Sequence, residues 1–164
     1  MNHTAVTFED LLADFELTTA KWKGFFAANP AAADVATDIA GSGTIGGLVS
    51  HIYMAAVRSS ERLLGEPFSD FKGTARNLAG AWDLERKATA NLRRFLATAN
   101  DEALDEVLRF MTKAAGEVAV SRRKLCLHIF VHAMRHWAQI GTIVRQHGYP
   151  PDWAQDVLFS SAIQ

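Results

Sequence analysis

The sequence predicts an all-α fold, a four-helix bundle with a small β-hairpin before its last long helix. Three observations carry that expectation. Four long segments place their apolar residues at helical spacing, and glycines and prolines punctuate the joins between them. The stretch that alternates apolar with polar residues falls between the third and fourth segments. A chain of 164 residues can bury one sizeable core but not comfortably two, so a single domain over residues 1–164 is expected.

The first helix is expected from about Thr7 to Ala28, with Thr7 as its cap and Asp10 three residues on. Phe8, Leu11, Leu12, Phe15, Trp22, Phe25 and Phe26 form its stripe, and Asn29-Pro30 ends it. Gly41, Gly43, Gly46 and Gly47 then mark a loop and the start of the next helix rather than a domain linker. That second helix is expected from about Thr44 to Leu64. Its stripe is Ile45, Leu48, Val49, Ile52, Ala55, Ala56 and Leu63, with Gly65 in the left-handed position past its end. The third helix is expected from about Thr74 to Ala99, with Leu78, Trp82, Leu92, Phe95 and Leu96 on one side. Glu85 stands seven residues from both Leu78 and Leu92, which puts a carboxylate on or beside that stripe.

Val107-Leu108-Arg109-Phe110-Met111 and Glu117-Val118-Ala119-Val120 flank Lys113-Ala114-Ala115-Gly116, and this pattern reads as the hairpin. The competing reading continues a helix from Asp101 to Lys113. The fourth helix is expected from about Ser121 to His147, capped by Ser121 and followed by Gly148. Tyr149-Pro150-Pro151 stops it, and a short helix is expected from Asp152.

Composition narrows the function classes. Apolar residues make up 49% and charged residues 21%, a soluble globular balance. The net charge of −1 offers no basic excess for phosphates, so no nucleic-acid partner is expected. Cys126, the one cysteine, permits neither an internal disulfide nor a thiolate metal cluster, and it suits a reducing compartment. Met1-Asn2-His3-Thr4 shows no signal-peptide pattern, and no apolar run reaches bilayer length. A cytoplasmic location without membrane contact is the expectation.

The histidines carry the chemical signal. Four of the six lie inside expected helices, and three of those fall at His128, His132 and His136. A step of four residues turns a helix by only about 40°, so His132 and His136 leave nearly the same face one turn apart. Leu125, Ile129, Ile140 and Ile143 share that face, which points the rings toward the buried side. A lone inward histidine is usually a core residue bonded to a carbonyl or carboxylate. Several on one stripe are harder to satisfy that way, because each unpaired ring nitrogen costs about 1–3 kcal/mol. A metal ion takes one nitrogen from each ring at once. Both readings stand on the spacing alone.

A two-histidine site needs a further ligand, and His51 is the other histidine in mid-helix, on the inner stripe of helix two. Three imidazoles without a thiolate suit Zn²⁺, Ni²⁺, Fe²⁺ or Mn²⁺, and three protein ligands leave positions open, as in catalytic sites. Around them, His128 and Gln139 are candidates to line the pocket or steady a ring. Glu85 is a candidate base, or else pairs with an arginine across the bundle, which is the favoured reading. Arg58 faces a pocket or solvent. His147 suits the dipole at a helix C-terminus.

The stretch Thr44-Ile45-Gly46-Gly47-Leu48-Val49-Ser50-His51-Ile52 resembles the second helix of the DinB/YfiT-like bundles. His128 through Ile140 is similar to that family's long last helix, where an H-x-x-x-H pair is followed three residues later by glutamine, here Gln139. Arg145-Gln146-His147-Gly148-Tyr149-Pro150 resembles the end of that helix. The resemblance covers nearly the whole chain in layout and is specific at about a dozen positions. It implies the helix order of the bundle and the metal triad His51, His132 and His136, with His128 outside it. It also implies one divalent metal and, from relatives that use mycothiol or bacillithiol, a low-molecular-weight thiol. Where the family usually has a basic residue and a glycine, this chain has Trp137 and Ala138, so the pocket rim is expected to be bulkier on that side.

Three functions compete. One is a metal-dependent enzyme acting on a small-molecule substrate or thiol, by S-transfer or hydrolase-type chemistry. The second is a non-catalytic module in which the metal or the core holds a small ligand or supports the fold. The third is a helical homodimer with core histidines, pairing through Trp22, Trp82, Trp137 or Trp153, although tryptophans at helical spacing are mostly core.

Overall fold

The four amphipathic segments become four long helices around a shared core in a computed structural model, which describes residues 5–112 and 115–163. His3, Lys113 and Ala114 lie outside the described residues. Helix α1 (Phe8–Ala28) starts with the expected capping box, Thr7 Oγ1 accepting from the Asp10 amide and Asp10 accepting from the Thr7 amide. The connection after it holds two 3₁₀ turns (Pro30–Asp34 and Ile39–Gly41) and a two-residue antiparallel pair, β1 (Ala36–Thr37) with β2 (Gly43–Thr44).

Helix α2 (Ile45–Leu64) is capped by Thr44 and ends at Gly65, whose φ of 67° is the left-handed geometry expected there. Helix α3 (Leu78–Leu96) is shorter than expected at both ends. Asn77 caps it through its side-chain oxygen, so Thr74–Arg76 belong to the preceding loop. A short α4 (Asp101–Asp105) follows, then β3 (Val107–Thr112) and β4 (Gly116–Ser121). The competing helical reading therefore holds only for the first five residues after Asn100. Leu108 pairs with Val120 and Phe110 with Val118, one inward face of the hairpin. Helix α5 (Arg122–Gln146) starts from the Ser121 cap. Beyond it, the helix expected from Asp152 is a single 3₁₀ turn at Val157–Phe159.

Helix α2 packs against α3 on one side and α5 on the other, while α1 touches α3 and α5. Helices α1 and α2 thus face each other across the core, joined there by Phe15 against Tyr53 and by a 2.7 Å bond between Thr19 and Tyr53 hydroxyls. The other end of the core is aromatic. Trp22 stacks on Trp137 with ring centroids 5.0 Å apart, and Trp153 and Phe26 close around it. Trp22 and Trp137 are therefore part of the interior, while Trp82 and Trp153 are half-buried at its edge. Among the described residues no helix is long and apolar enough to cross a membrane.

Candidate metal centre

Two helices bring the histidines together. On α2 the fully buried Leu48 and Ile52 set the roll of the helix. Ser50 anchors its start, its hydroxyl within 3.1 Å of the Gly46 carbonyl and 3.0 Å of the Asn77 carbonyl at the head of α3. His51 lies between these positions and turns toward α5. On α5 the buried row is Ile129, Ala133, Trp137 and Ile140. His132 and His136 border that row, each one position ahead of a buried residue. All three rings are half-buried, at the margin of the core rather than inside it as expected.

One nitrogen from each of His51, His132 and His136 lies within 4.8 Å of the other two. The His51 ring centroid is 5.2 Å from that of His132 and 5.0 Å from that of His136. Nε2 of His132 and Nε2 of His136 are 3.2 Å apart. Two nitrogens bound to one ion at about 2.1 Å would stand roughly 3.0–3.4 Å apart, so the separation fits a shared ion. Gln139 Oε1 lies 2.7 Å from His136 Nδ1. An amide oxygen only accepts, so Nδ1 carries the proton and Nε2 offers its lone pair to the cluster.

The electrostatics keep the rings neutral, which is the ligating form. His132 is pushed down to about 3, by burial first and then by His136, His51, His128 and Arg135. His51 is lowered by burial, then by His136, Arg76 and Arg58. His136 is lowered by burial and by Arg135, against the opposing Gln139 hydrogen bond. The donor set is three imidazoles, with no thiolate and no carboxylate, and suits the divalent metals expected without choosing among them. Cys126 is fully buried, its thiol pushed up to about 12 by burial and Glu9, and belongs to the packing.

The remaining candidates disperse. His128 is exposed, with its ring 5.3 Å from that of His132, so it flanks the cluster. Glu85 is buried and bonded at 2.7 Å to Lys23 of α1, a lysine where an arginine was expected, and no described contact joins it to the rings. Arg58 is exposed, its guanidinium 4.8 Å above the Phe71 ring, while its charge reaches His51. His147 Nδ1 donates to the Ile143 carbonyl at the end of α5. Trp137 does not crowd the histidine rim. One residue past His136 the helix has turned by about 100°, which sends the indole into the core against Trp22. Arg76, on the loop before α3, was not singled out by the sequence. No periodicity marks a loop cation, and only the fold brings its charge to His51.

The family model described as DinB family matches residues 1–163. No curated protein matches the chain.

Proposed function

The chain belongs to the DinB family, and from that premise we propose that it binds one divalent transition metal through His51, His132 and His136 and works as a metal-dependent enzyme on a small molecule, most plainly by thiol S-transfer. The observation that supports this reading is the convergence of three neutral imidazole nitrogens within 4.8 Å, contributed by two different helices. Three protein ligands leave coordination positions for a substrate, whereas closed four-ligand sites are structural. A bound divalent ion would lower the pKa of a thiol or water beside it and so supply a nucleophile near neutral pH.

The residues around the rings have separable tasks. Gln139 holds the His136 tautomer. Burial keeps the rings deprotonated, aided by Arg76 and Arg58 at His51 and by Arg135 at His132 and His136, and this positive charge favours an anionic substrate group. His128, held below its ordinary value by partial desolvation of its ring and then by Arg135, stands beside His132 and is available to accept a proton.

Elemental mass spectrometry tests the metal assignment on the wild type, His51→Ala and His132→Ala. The expected result is about one metal per chain, absent from both variants. No metal after reconstitution with Zn²⁺, Ni²⁺, Mn²⁺ and Fe²⁺ would sink the assignment. If Co²⁺-loaded protein shows absorption bands that thiols and small anions leave unmoved, the enzymatic part fails and a non-catalytic metal site remains.

A further inference from the structure

A cleft of ≈ 630 Å³ opens beside the ring cluster, between α2 and the first half of α5, with the β3–β4 hairpin over it. Its walls are of two kinds. Ala55, Leu125 and the inward hairpin residues Phe110, Val118 and Val120 are apolar, whereas Arg58, Arg62 and Lys124 are cationic. Among the described residues no carboxylate lines it. Elsewhere on the helices Arg86, Arg93, Arg94, Arg122 and Arg123 each have a carboxylate partner, while Arg135 and Arg145 of α5 have none among the described residues. Among the described residues the three cleft cations have none.

Arg62 is the most constrained of the three. Its guanidinium lies between the rings of Phe68 and Phe110, at 4.4 and 4.5 Å. Its Nε is buried without a hydrogen-bond partner among the described residues. Arg58 and Arg62 are one helical turn apart, a like-charge pair that disfavours itself unless an anion sits between them. The cleft also continues from the histidines. Ala55 is one turn beyond His51, and His128, also on its wall, is one turn before His132. Helical rise places Arg58 about 10 Å and Arg62 about 16 Å along α2 from His51.

We infer that this cleft binds a small amphiphilic organic acid, its anionic head held by Arg58, Arg62 and Lys124, its apolar body against the hairpin, and its far end at the histidine cluster. This names the substrate class of the metal site and rests on that reading for the reaction, though not for the binding. A molecule roughly 10–16 Å long spans the two ends. The orphaned Arg62 Nε–H would gain an acceptor, and burial of the chain against Phe110, Val118 and Val120 would add affinity.

The test is calorimetric titration of the full chain, metal-free and Zn²⁺-loaded, with octanoate, 1-octanol and octyltrimethylammonium as probes. Octanoate is expected to bind at least about tenfold tighter than 1-octanol, with octyltrimethylammonium weakest, as a charge-assisted contact implies. Arg58→Gln and Lys124→Gln each remove an exposed cation, leave the melting curve in place, and are expected to bring octanoate toward 1-octanol. Amide resonances of Ala55, Val118 and Val120 are expected to shift on titration. Octanoate no tighter than 1-octanol, affinity unchanged in both variants, or shifts confined to another face would each overturn the inference. Because the metal-free protein is titrated too, loss of the metal assignment leaves this result readable, and a metal-loaded protein blind to octanoate fails this inference alone.

Discussion

At the scale of single residues, Gln139 decides which nitrogen of His136 faces the cluster. Gln139→Leu removes the acceptor 2.7 Å from Nδ1 and frees the tautomer. Zn²⁺ affinity, read by competition with a chelating indicator, is expected to fall about 10–100-fold. The stability of the metal-free form should hardly change, since Gln139 is exposed. The neutral rings carry a second consequence. His132 titrates at about 3 in the fold, against an ordinary value of 6.5 that applies once the chain unfolds. Between these values the unfolded chain binds more protons, so acid favours unfolding. Stability of the metal-free protein is therefore full above pH 6.5 and declines as pH drops toward about 3. Thermal melts across that window should show a shallower slope for His132→Gln. Equal slopes in the two proteins would remove the rings as the cause.

At the scale of elements, the start of α2 is the most constrained junction. A Cβ built on Gly47 would stand 2.1 Å from the Ser42 carbonyl oxygen, a backbone atom that cannot swing aside. Gly47→Ala is expected to cost about 1–3 kcal/mol in denaturant unfolding and to weaken metal binding, because α2 carries His51. Gly24 on α1 is the control. Nothing lies within 4 Å of its added Cβ, so Gly24→Ala is expected to stabilise by roughly 0.5–1 kcal/mol through helix propensity alone. Loss of stability in both variants would show that helix packing, not the α2 junction, responds. The helix ends were legible where a side chain does the capping. Thr7 and Ser121 cap as expected, and Thr44, expected as the first residue of the second helix, is its cap. The start of α3 lies at Asn77 rather than Thr74: both residue types suit a cap, and the Asn77 carbonyl is tied to Ser50 of α2.

At the scale of the whole molecule, Trp22 joins α1, α5 and the C-terminal segment through Trp137 and Trp153. Trp22→Ala is expected to cost about 3–5 kcal/mol, with the loss appearing as one cooperative shift in every probe of unfolding. A mild, local effect would mean that this aromatic end folds apart from the rest. Zn²⁺ in excess should raise the melting temperature by linking α2 to α5, and the rise should vanish in His51→Ala. The sequence by itself determined what is local: helix periods, caps, the alternation of the hairpin, and the one-turn spacing of His132 and His136. These follow from repeats of about 3.6 and 2 residues and from side chains bonding their own backbone. It also nominated His51, on the ground that a bundle site needs a second helix. Tertiary structure alone decided that the His51 ring meets the α5 pair, that Glu85 finds Lys23 instead of an arginine, that Trp137 turns into the core, and that Arg58, Arg62 and Lys124 share one cleft. Each of these depends on how far every helix rolls and which helices are neighbours. Those quantities are set by the packing of side chains distant in sequence, and no local pattern encodes them.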